Sequence, residues 1–362
     1  MTDPPTIKNC DALELLAGIE DNTVQLVAVD PPYFRFLNEP WDRQWDDRSK
    51  FLQWIGQLAK EWQRVLAPNG SLYCFASPQM AASVQMVLAE SFEILNEIVW
   101  VKARGRHDGS GKDSLRSFFP QTERLIFAEQ FGADGSALAG SGYAAECAEL
   151  HAGVFEPLRQ YLVEELQRSG VSKIDVNVAC GFSATPGGMA SRHYFSPSQW
   201  CLPTEEHYKA MQQLFNANGG EYLRRDYEEL RRDYEELRRP FTVSAEVPFT
   251  DVWTYPNEPP ARDSVRHPCE KPAEMMRHII NSSTREGDLV LDCFAGSGTT
   301  AIAALSTRRQ FIGCDASPKW AEYANNRIKI WEPGRDIYRP QIRNDAQLDM
   351  FQTTEETTTH DH

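Results

Sequence analysis

The chain has 362 residues, 41% hydrophobic and 25% charged, with eight cysteines scattered at positions 10, 74, 147, 180, 201, 269, 293 and 314. This composition excludes a disordered, collagen-like or disulfide-stapled chain and suits one large α/β domain with a smaller one inserted. The formal net charge of −15 argues in sum against a polyanionic partner, because affinity for phosphates comes mainly from Lys and Arg.

Binding follows the local field rather than the sum. The apolar runs, such as 26–29 and 98–101, fall far short of the roughly 20 residues a membrane helix needs, and residues 1–9 are polar rather than a charged-then-apolar leader. A cytoplasmic protein without a membrane partner is expected, its cysteines reduced and buried. No C-x-x-C pair or histidine lies at zinc spacing, so no metal site is expected.

Residues 24–29 form a short β-rich run that ends in Asp30-Pro31-Pro32-Tyr33, where two prolines must stop any strand ladder. From 47 to 66 the apolar Phe51, Ile55, Leu58, Trp62 and Val65 recur at steps of four and three, one face of an amphipathic helix. Asn69-Gly70 is expected to close it. Strands are predicted at 71–75, 92–101 and 123–128, and this alternation of helix and strand implies a mostly parallel twisted sheet with helices on both faces. Between the last two strands, residues 102–121 carry Lys102, Arg104, Arg106, Lys112 and Arg116 against Asp108 and Asp113. Such a Gly/Ser-rich basic loop is either a solvated connection or a phosphate contact.

After Phe131 the character changes for roughly 130 residues, far too long for a loop. Helices are predicted at 155–168, 172–180 and 189–195. The last two flank a Gly/Pro turn and read either as a helix-turn-helix, with Ser191, Arg192 and His193 on the reading helix, or as a structural hairpin. A duplicated heptad follows: Leu223-Arg-Arg-Asp-Tyr-Glu-Glu recurs at Leu230, with a truncated copy at Leu237. Leu223, Tyr227, Leu230, Tyr234 and Leu237 would form one apolar stripe on a helix ended by Pro240. Two heptads are too few for an autonomous coiled coil, so packing on its own domain is expected over a partner zipper.

The sheet pattern returns with strands at 288–294 and 311–315 around the turn Gly296-Ser297-Gly298 and a helix from Thr299. The strand, glycine turn and helix suit a nucleoside that approaches the backbone closely, with Asp315 placed for ribose hydroxyls. Gly296, Gly298 and Ala301 also satisfy a dinucleotide spacing, but Asp292 just before the turn would repel a diphosphate and suits an ammonium. The Asp30-Pro-Pro-Tyr33 segment alone is either a capped turn or a cup of acceptors beside an aromatic ring, fit for a planar ligand with an exocyclic amino group.

Together these segments resemble the amino-group DNA methyltransferases, whose signatures are a DPPY tetrapeptide and an F-x-G-x-G loop, here Phe294-Ala-Gly296-Ser-Gly298. The tetrapeptide comes first, a long insert follows and the glycine loop is last, the order of the permuted β-class. Asn9-Cys-Asp11-Ala12 resembles the segment whose acidic residue faces the cofactor adenine. His267-Pro-Cys-Glu-Lys271-Pro272 resembles the HP-x-x-KP helix opening near its methionine part.

The resemblance implies a Rossmann-like methyltransferase fold. Residues 1–130 would be the catalytic half, 131–261 a mainly helical target-recognition insert, 262–335 the cofactor-binding half and 336–362 a polar acidic tail. It implies methyl transfer from S-adenosylmethionine to N6 of a flipped-out adenine in double-stranded DNA, by a monomer or homodimer. Cytosine N4 is the alternative target, and a non-catalytic DNA binder or a nicotinamide dehydrogenase the alternatives of other classes. Asp30, Pro31, Pro32 and Tyr33 would be catalytic. Asp11, Ala12, Lys271, Asp292, Phe294, Gly296, Ser297, Gly298, Thr299 and Asp315 would hold the cofactor. Lys102, Arg104, Arg106, Lys112, Arg116, Arg192 and His193 would contact DNA.

Overall fold

The computed structural model describes residues 6–102, 118, 121–130, 143–185, 187–197, 200–243, 250–256 and 267–331, with the backbone alone for 143–154. In chain order the first half holds β1 (Ile7–Asn9), α1 (Ala12–Ala17), β2 (Val24–Val29), α2 (Arg48–Val65), β3 (Leu66–Ala76), α3 (Ala81–Leu88), β4 (Glu93–Lys102) and β5 (Thr122–Glu129). The helices α4 (Tyr143–Ser169), α5 (Lys173–Ala179), α6 (Met189–Tyr194), α7 (Glu205–Asn216) and α8 (Tyr227–Leu237) follow. β6 (Val252–Tyr255), α9 (Ala273–Ser283), β7 (Leu289–Asp292), α10 (Thr299–Ser306), β8 (Gln310–Asp315) and α11 (Pro318–Ile330) complete the chain.

One eight-stranded sheet runs in the order β1-β8-β7-β2-β3-β5-β4-β6. Pairing is parallel except where β5 lies antiparallel to β3 and β4. β2 is almost wholly buried along its length, as a parallel strand covered on both faces must be. One face packs on α2, whose Phe51, Ile55, Leu58, Trp62 and Val65 are all buried as the period required, and the other on α9, α10 and α11. The strand order reverses between β7 and β2, which places a crevice at their carboxyl ends. Leu26 lies beside Val290 and Val27 beside Leu291, so Asp30 and the turn after Asp292 emerge together.

Three features depart from the expected elements. Asn69-Gly70 does not close α2: the helix stops at Val65 and the chain passes directly into β3. Val24 pairs with Leu66 but Leu26 with Ser71, so residues 67–70 bulge from the ladder, and the Asn69 side chain donates to the Leu237 carbonyl at 2.9 Å. β1 and β6 are short edge strands without their own apolar alternation. β6 falls inside the expected insert, 131–261, yet pairs with β4 and belongs to the sheet.

The helices α4 to α8 bury a separate core around Leu158, Leu162, Val176, Tyr208, Met211 and Leu230. The duplicated heptad is not one continuous helix. Leu223 adopts a left-handed φ of +50°, its N–H donates to the buried Glu165 carboxylate at 2.6 Å and its carbonyl accepts from Gln212 at 2.7 Å. Its first copy is therefore irregular chain pinned by side chains, and α8 starts only at Tyr227. Leu230 and the half-buried Tyr227, Tyr234 and Leu237 pack into that same core, so the stripe is internal to its own domain. Among the described residues no helix is long and apolar enough to cross a membrane.

The second copy and the truncated one should therefore respond unequally to side-chain truncation. Leu230, 1% exposed, should cost ~2–5 kcal/mol as Leu230→Ala. Leu237→Ala, at the half-buried helix end, should cost clearly less, as read from urea unfolding midpoints.

Candidate active site

Asp30 follows the last residue of β2, and the two prolines behind it contribute carbonyls but no N–H. The loop beyond turns sharply: Phe34 and Arg35 both have φ of +59°, which non-glycine residues adopt only when held there. Asp42 holds them. Its buried carboxylate accepts the N–H of Tyr33 at 2.7 Å and of Leu37 at 2.5 Å, and its carbonyl accepts the N–H of Arg35 at 2.7 Å. Burial raises the Asp42 pKa against these bonds. Nothing in its sequence context marked Asp42, because the staple appears only once the loop has closed on it.

Lys271, expected beside the cofactor, also reaches the acceptor loop. Its buried ammonium donates to Asp30 Oδ2 at 2.5 Å and to the Tyr33 hydroxyl at 3.2 Å, and lies 3.3 Å from Glu123 Oε2. Tyr33 in turn donates to Glu123 Oε2 at 2.9 Å. Burial works against charge on Lys271, but Asp30 and Glu123 outweigh it and raise its pKa. Burial likewise pushes Glu123 up, but Lys271 and Lys102 together hold it below the usual range. For Asp30 burial prevails over Lys271, with Glu123 adding to it, and the pKa is raised. Asp30 Oδ1 is buried and accepts no hydrogen bond.

The second half of the site is the turn after β7. Asp292 accepts the Phe294 N–H at 2.9 Å and the Thr300 hydroxyl at 2.6 Å. Burial nevertheless raises its pKa to about 7. Asp315, at the end of β8, accepts the N–H of Gly296 and of Ser317, each at 2.8 Å. Ser297 and Thr299 are buried, their hydroxyls 2.9 Å apart.

The glycines serve packing as well as access. Gly298 has φ of +77°, and a Cβ there would lie 2.9 Å from that of Ala324 on α11. Gly296 has φ of +49°, and a Cβ there would lie 3.1 Å from the His267 imidazole. Burial, helped by Lys271 and Lys319, lowers the pKa of His267 to about 4, so the ring is neutral, and it meets Trp320 edge-on at 4.6 Å.

Both halves open into one cleft of about 1020 Å³, counting its mouth, lined by Asp11, Ala12, Asp30, Pro31, Pro32, Tyr33, Asp42, Phe294, Gly296 and Asp315 and walled by Phe36, Trp41, Trp54 and Trp320. A smaller annex joins Asp30, Lys271, Asp292, Ser297 and Thr299. Asp11 also caps α1 by accepting the Leu13 N–H at 2.8 Å. The main cleft thus presents four aspartates and neither Lys nor Arg among the described residues. That charge pattern fits a cationic ligand with an aromatic part and opposes the diphosphate of a dinucleotide. A sulfonium carrying a nucleoside and an ammonium satisfies it.

Among the described residues, none of the expected DNA contacts lines the main cleft. Lys102 does not stand free for phosphates: its ammonium is ion-paired to Glu123 at the rear of the site. Arg104, Arg106, Lys112 and Arg116 lie outside the described residues. Arg192 is exposed and His193 half-buried on α6, away from the cleft. Ser191, beside them, points inward: it is buried and its hydroxyl takes a hydrogen bond from Asn177 at 3.2 Å. Of the residues the sequence did not mark, Glu123 and Asp42 organise the acceptor loop, and Trp54 meets Phe294 edge-on at 5.7 Å.

This geometry has counterparts. The type II methyltransferase M2.DpnII of Streptococcus pneumoniae is 24% identical over 338 residues, covering 88% of this chain and 87% of its own. The DNA adenine methyltransferase YhdJ of Escherichia coli (strain K12) is 23% identical over 334 residues, covering 90% and 83%. Among solved structures, the cytosine-N4-specific PvuII DNA methyltransferase superposes with a TM-score of 0.50 at 14% identity over 93% of this chain and 92% of its own, a likeness of fold. A DNA methylase family model matches residues 24–326, from the first strand of the acceptor half through the last helix of the glycine-turn half, and the chain belongs to that family.

Proposed function

We propose that the chain, an S-adenosylmethionine-dependent DNA methylase, methylates the exocyclic N6 of an adenine turned out of the duplex, with Asp30 as the orienting acceptor. One observation carries this reading: a buried carboxylate oxygen, Asp30 Oδ1, has no hydrogen-bond partner while its residue lines an aromatic, acidic cleft. A buried acceptor without a donor costs about 1–3 kcal/mol, and an amino N–H would relieve it.

A stacked base is out of reach, so the nucleotide must swing into the cleft at a few kcal/mol of lost stacking and pairing. Its amino group would donate one N–H to Asp30 Oδ1 and the other to the Pro31 carbonyl. An amino lone pair delocalised into the ring is a poor nucleophile, and two acceptors on its hydrogens favour a more pyramidal nitrogen with the lone pair turned toward the methyl donor. Bound S-adenosylmethionine supplies that methyl as an electrophile. As the nitrogen–carbon bond forms, the carbon–sulfur bond would break with its electron pair left on sulfur, giving S-adenosylhomocysteine, and the methylated nitrogen would then lose one proton to water. Tyr33, its hydroxyl fixed by Glu123 and Lys271, offers its ring to the base face. Asp292 and Asp11 would face the cationic and adenine ends of the cofactor.

Adenine is favoured over cytosine by the Asp-Pro-Pro-Tyr form of the tetrapeptide, whereas Ser-Pro-Pro-Trp is the form that leans to cytosine. The naming of YhdJ as an adenine enzyme supports the same choice, while the PvuII likeness concerns the fold and is neutral. A dehydrogenase reading founders on the cleft's four aspartates. We assign target recognition to the α4–α8 unit, with Arg192 and His193 toward DNA, and phosphate contacts to Arg104, Arg106, Lys112 and Arg116. Single-molecule sequencing of DNA from cells expressing the chain reads base and site together; N4-methylcytosine there would replace the adenine assignment.

Asp30→Ala should lower methyl transfer from labelled cofactor by roughly 10²–10⁴-fold while S-adenosylhomocysteine affinity, by calorimetry, changes less than about threefold. Cofactor binding should also be proton-linked. Asp292, with a pKa of about 7, is partly protonated near neutrality, and a cation beside it favours the ionised form. Binding of S-adenosylmethionine should then release protons and tighten as pH rises from about 6 to 8. Calorimetry in buffers of different ionisation enthalpy measures the release, and Asp292→Asn should abolish it.

A further inference from the structure

The group of charges behind Asp30 belongs to neither of the two signature segments alone. Glu123 comes from the start of β5, Lys271 from the approach to α9, and Tyr33 and Asp30 from the loop after β2. The Lys271 ammonium donates two hydrogen bonds into this group, to Asp30 Oδ2 at 2.5 Å and to the Tyr33 hydroxyl at 3.2 Å, and is ion-paired with Glu123 Oε2 at 3.3 Å. The Phe75 and Tyr33 rings lie 4.8 Å and 5.3 Å from Nζ. The ammonium is therefore fixed and dry.

We propose that Lys271 and Glu123 are positioning residues of the methyl-acceptor pocket. The ammonium, held between two carboxylates, occupies Oδ2 of Asp30 and leaves Oδ1 as an anionic acceptor for the amino group. This inference rests on the reading of Asp30 given above and moves Lys271 from the cofactor side to the acceptor side.

Its physical content is a balance of charge. A carboxylate this buried tends to take up a proton, and a protonated Asp30 would present a donor where an acceptor is needed. Lys271 opposes that tendency and Glu123 adds to it. The other ionisable groups around Asp30 are Cys74, Cys269 and Asp292, each of which feels its charge, with Tyr33 bonded to the cluster and Lys102 paired behind Glu123. His267 nearby is neutral. The two positioning residues should therefore move the acidic limb of the rate profile in opposite directions.

The test is the pH dependence of kcat, with tritiated S-adenosylmethionine and unmethylated genomic DNA, for the full chain and three variants. Lys271→Met should lower kcat roughly 100-fold and shift the acidic limb to higher pH by about one unit or more. Glu123→Gln should shift it to lower pH. Lys271→Arg, which keeps the cation, should recover part of the rate and keep the limb near that of the parent even if the methionine variant folds poorly. S-adenosylhomocysteine affinity should stay within about threefold throughout. Loss of that affinity with an unmoved limb would return Lys271 to the cofactor and overturn the inference, as would limbs that do not move in opposite directions. A parent chain that labels no DNA, or an Asp30→Ala variant with near-normal turnover, would instead defeat the reading of Asp30 itself.

Discussion

The parallel pairing of β2 with β7 is the contact on which the site depends. It sets Leu26 beside Val290 and Val27 beside Leu291, so a loop from the first tenth of the chain and a turn from its last fifth leave the sheet at one edge. Parallel neighbours need long crossovers, and here the connection includes four further strands, the whole α4–α8 unit and α9. Slippage of this ladder by one residue would turn every side chain to the opposite face, carrying Asp30 away from Asp292. The pairing is protected by burial: Leu26, Val27, Val290 and Leu291 are all 0% exposed. Trp62 adds a lateral tie, its indole N–H donating to Cys293 Sγ at 3.4 Å across the α2 face.

What the sheet edge assembles is costly to bury. Asp30, Glu123, Lys271 and Lys102 form two anions and two cations around one tyrosine hydroxyl. Isolated, Asp30, Glu123 and Lys271 would each carry a desolvation penalty of several kcal/mol, which the ion pairs among them offset. Such clusters contribute little net stability compared with apolar packing. Their presence behind Asp30, at the rear of the crevice, fits a site whose chemistry needs a particular protonation state. The strain at Phe34 and Arg35, held by the Asp42 carboxylate, is a second local cost of the same kind.

Much of this was legible in the sequence. The period of α2, the breaking of β2 by Pro31 and Pro32, and the strand–turn–helix around Gly296 all follow from local rules, and the tetrapeptide with the glycine turn identified the two ends of the cleft. What stayed hidden depends on distant partners. Lys271 sits in a segment associated with the cofactor, and only the fold reveals that its ammonium turns to Asp30. Lys102 reads as the first residue of a basic loop, yet Glu123, distant in sequence but beside it across the antiparallel ladder, claims it. The repeat at Leu223 looks like uninterrupted helix because periodicity carries no information about Glu165, which captures the Leu223 N–H. β1 and β6 are too short to alternate visibly and exist because an edge of the sheet accepts them.

The acidity of the chain, which at first argues against a nucleic-acid partner, becomes intelligible once located. Four aspartates line the main cleft, and at the separations of a crevice their combined potential repels a phosphodiester while attracting a sulfonium or an ammonium. A neutral base swung out of the duplex feels little of that repulsion, so the cleft admits the base and the cationic donor but keeps the backbone outside. Contact with the backbone must then come from basic groups beyond the rim. The residues proposed above for that contact, Arg104, Arg106, Lys112 and Arg116, follow in sequence after Lys102, whose own ammonium is ion-paired with Glu123. The end of β4 thus supplies an internal counter-ion, and the sequence just after it carries the basic residues proposed to hold DNA, which would link the electrostatics of the reacting group to the grip on the backbone.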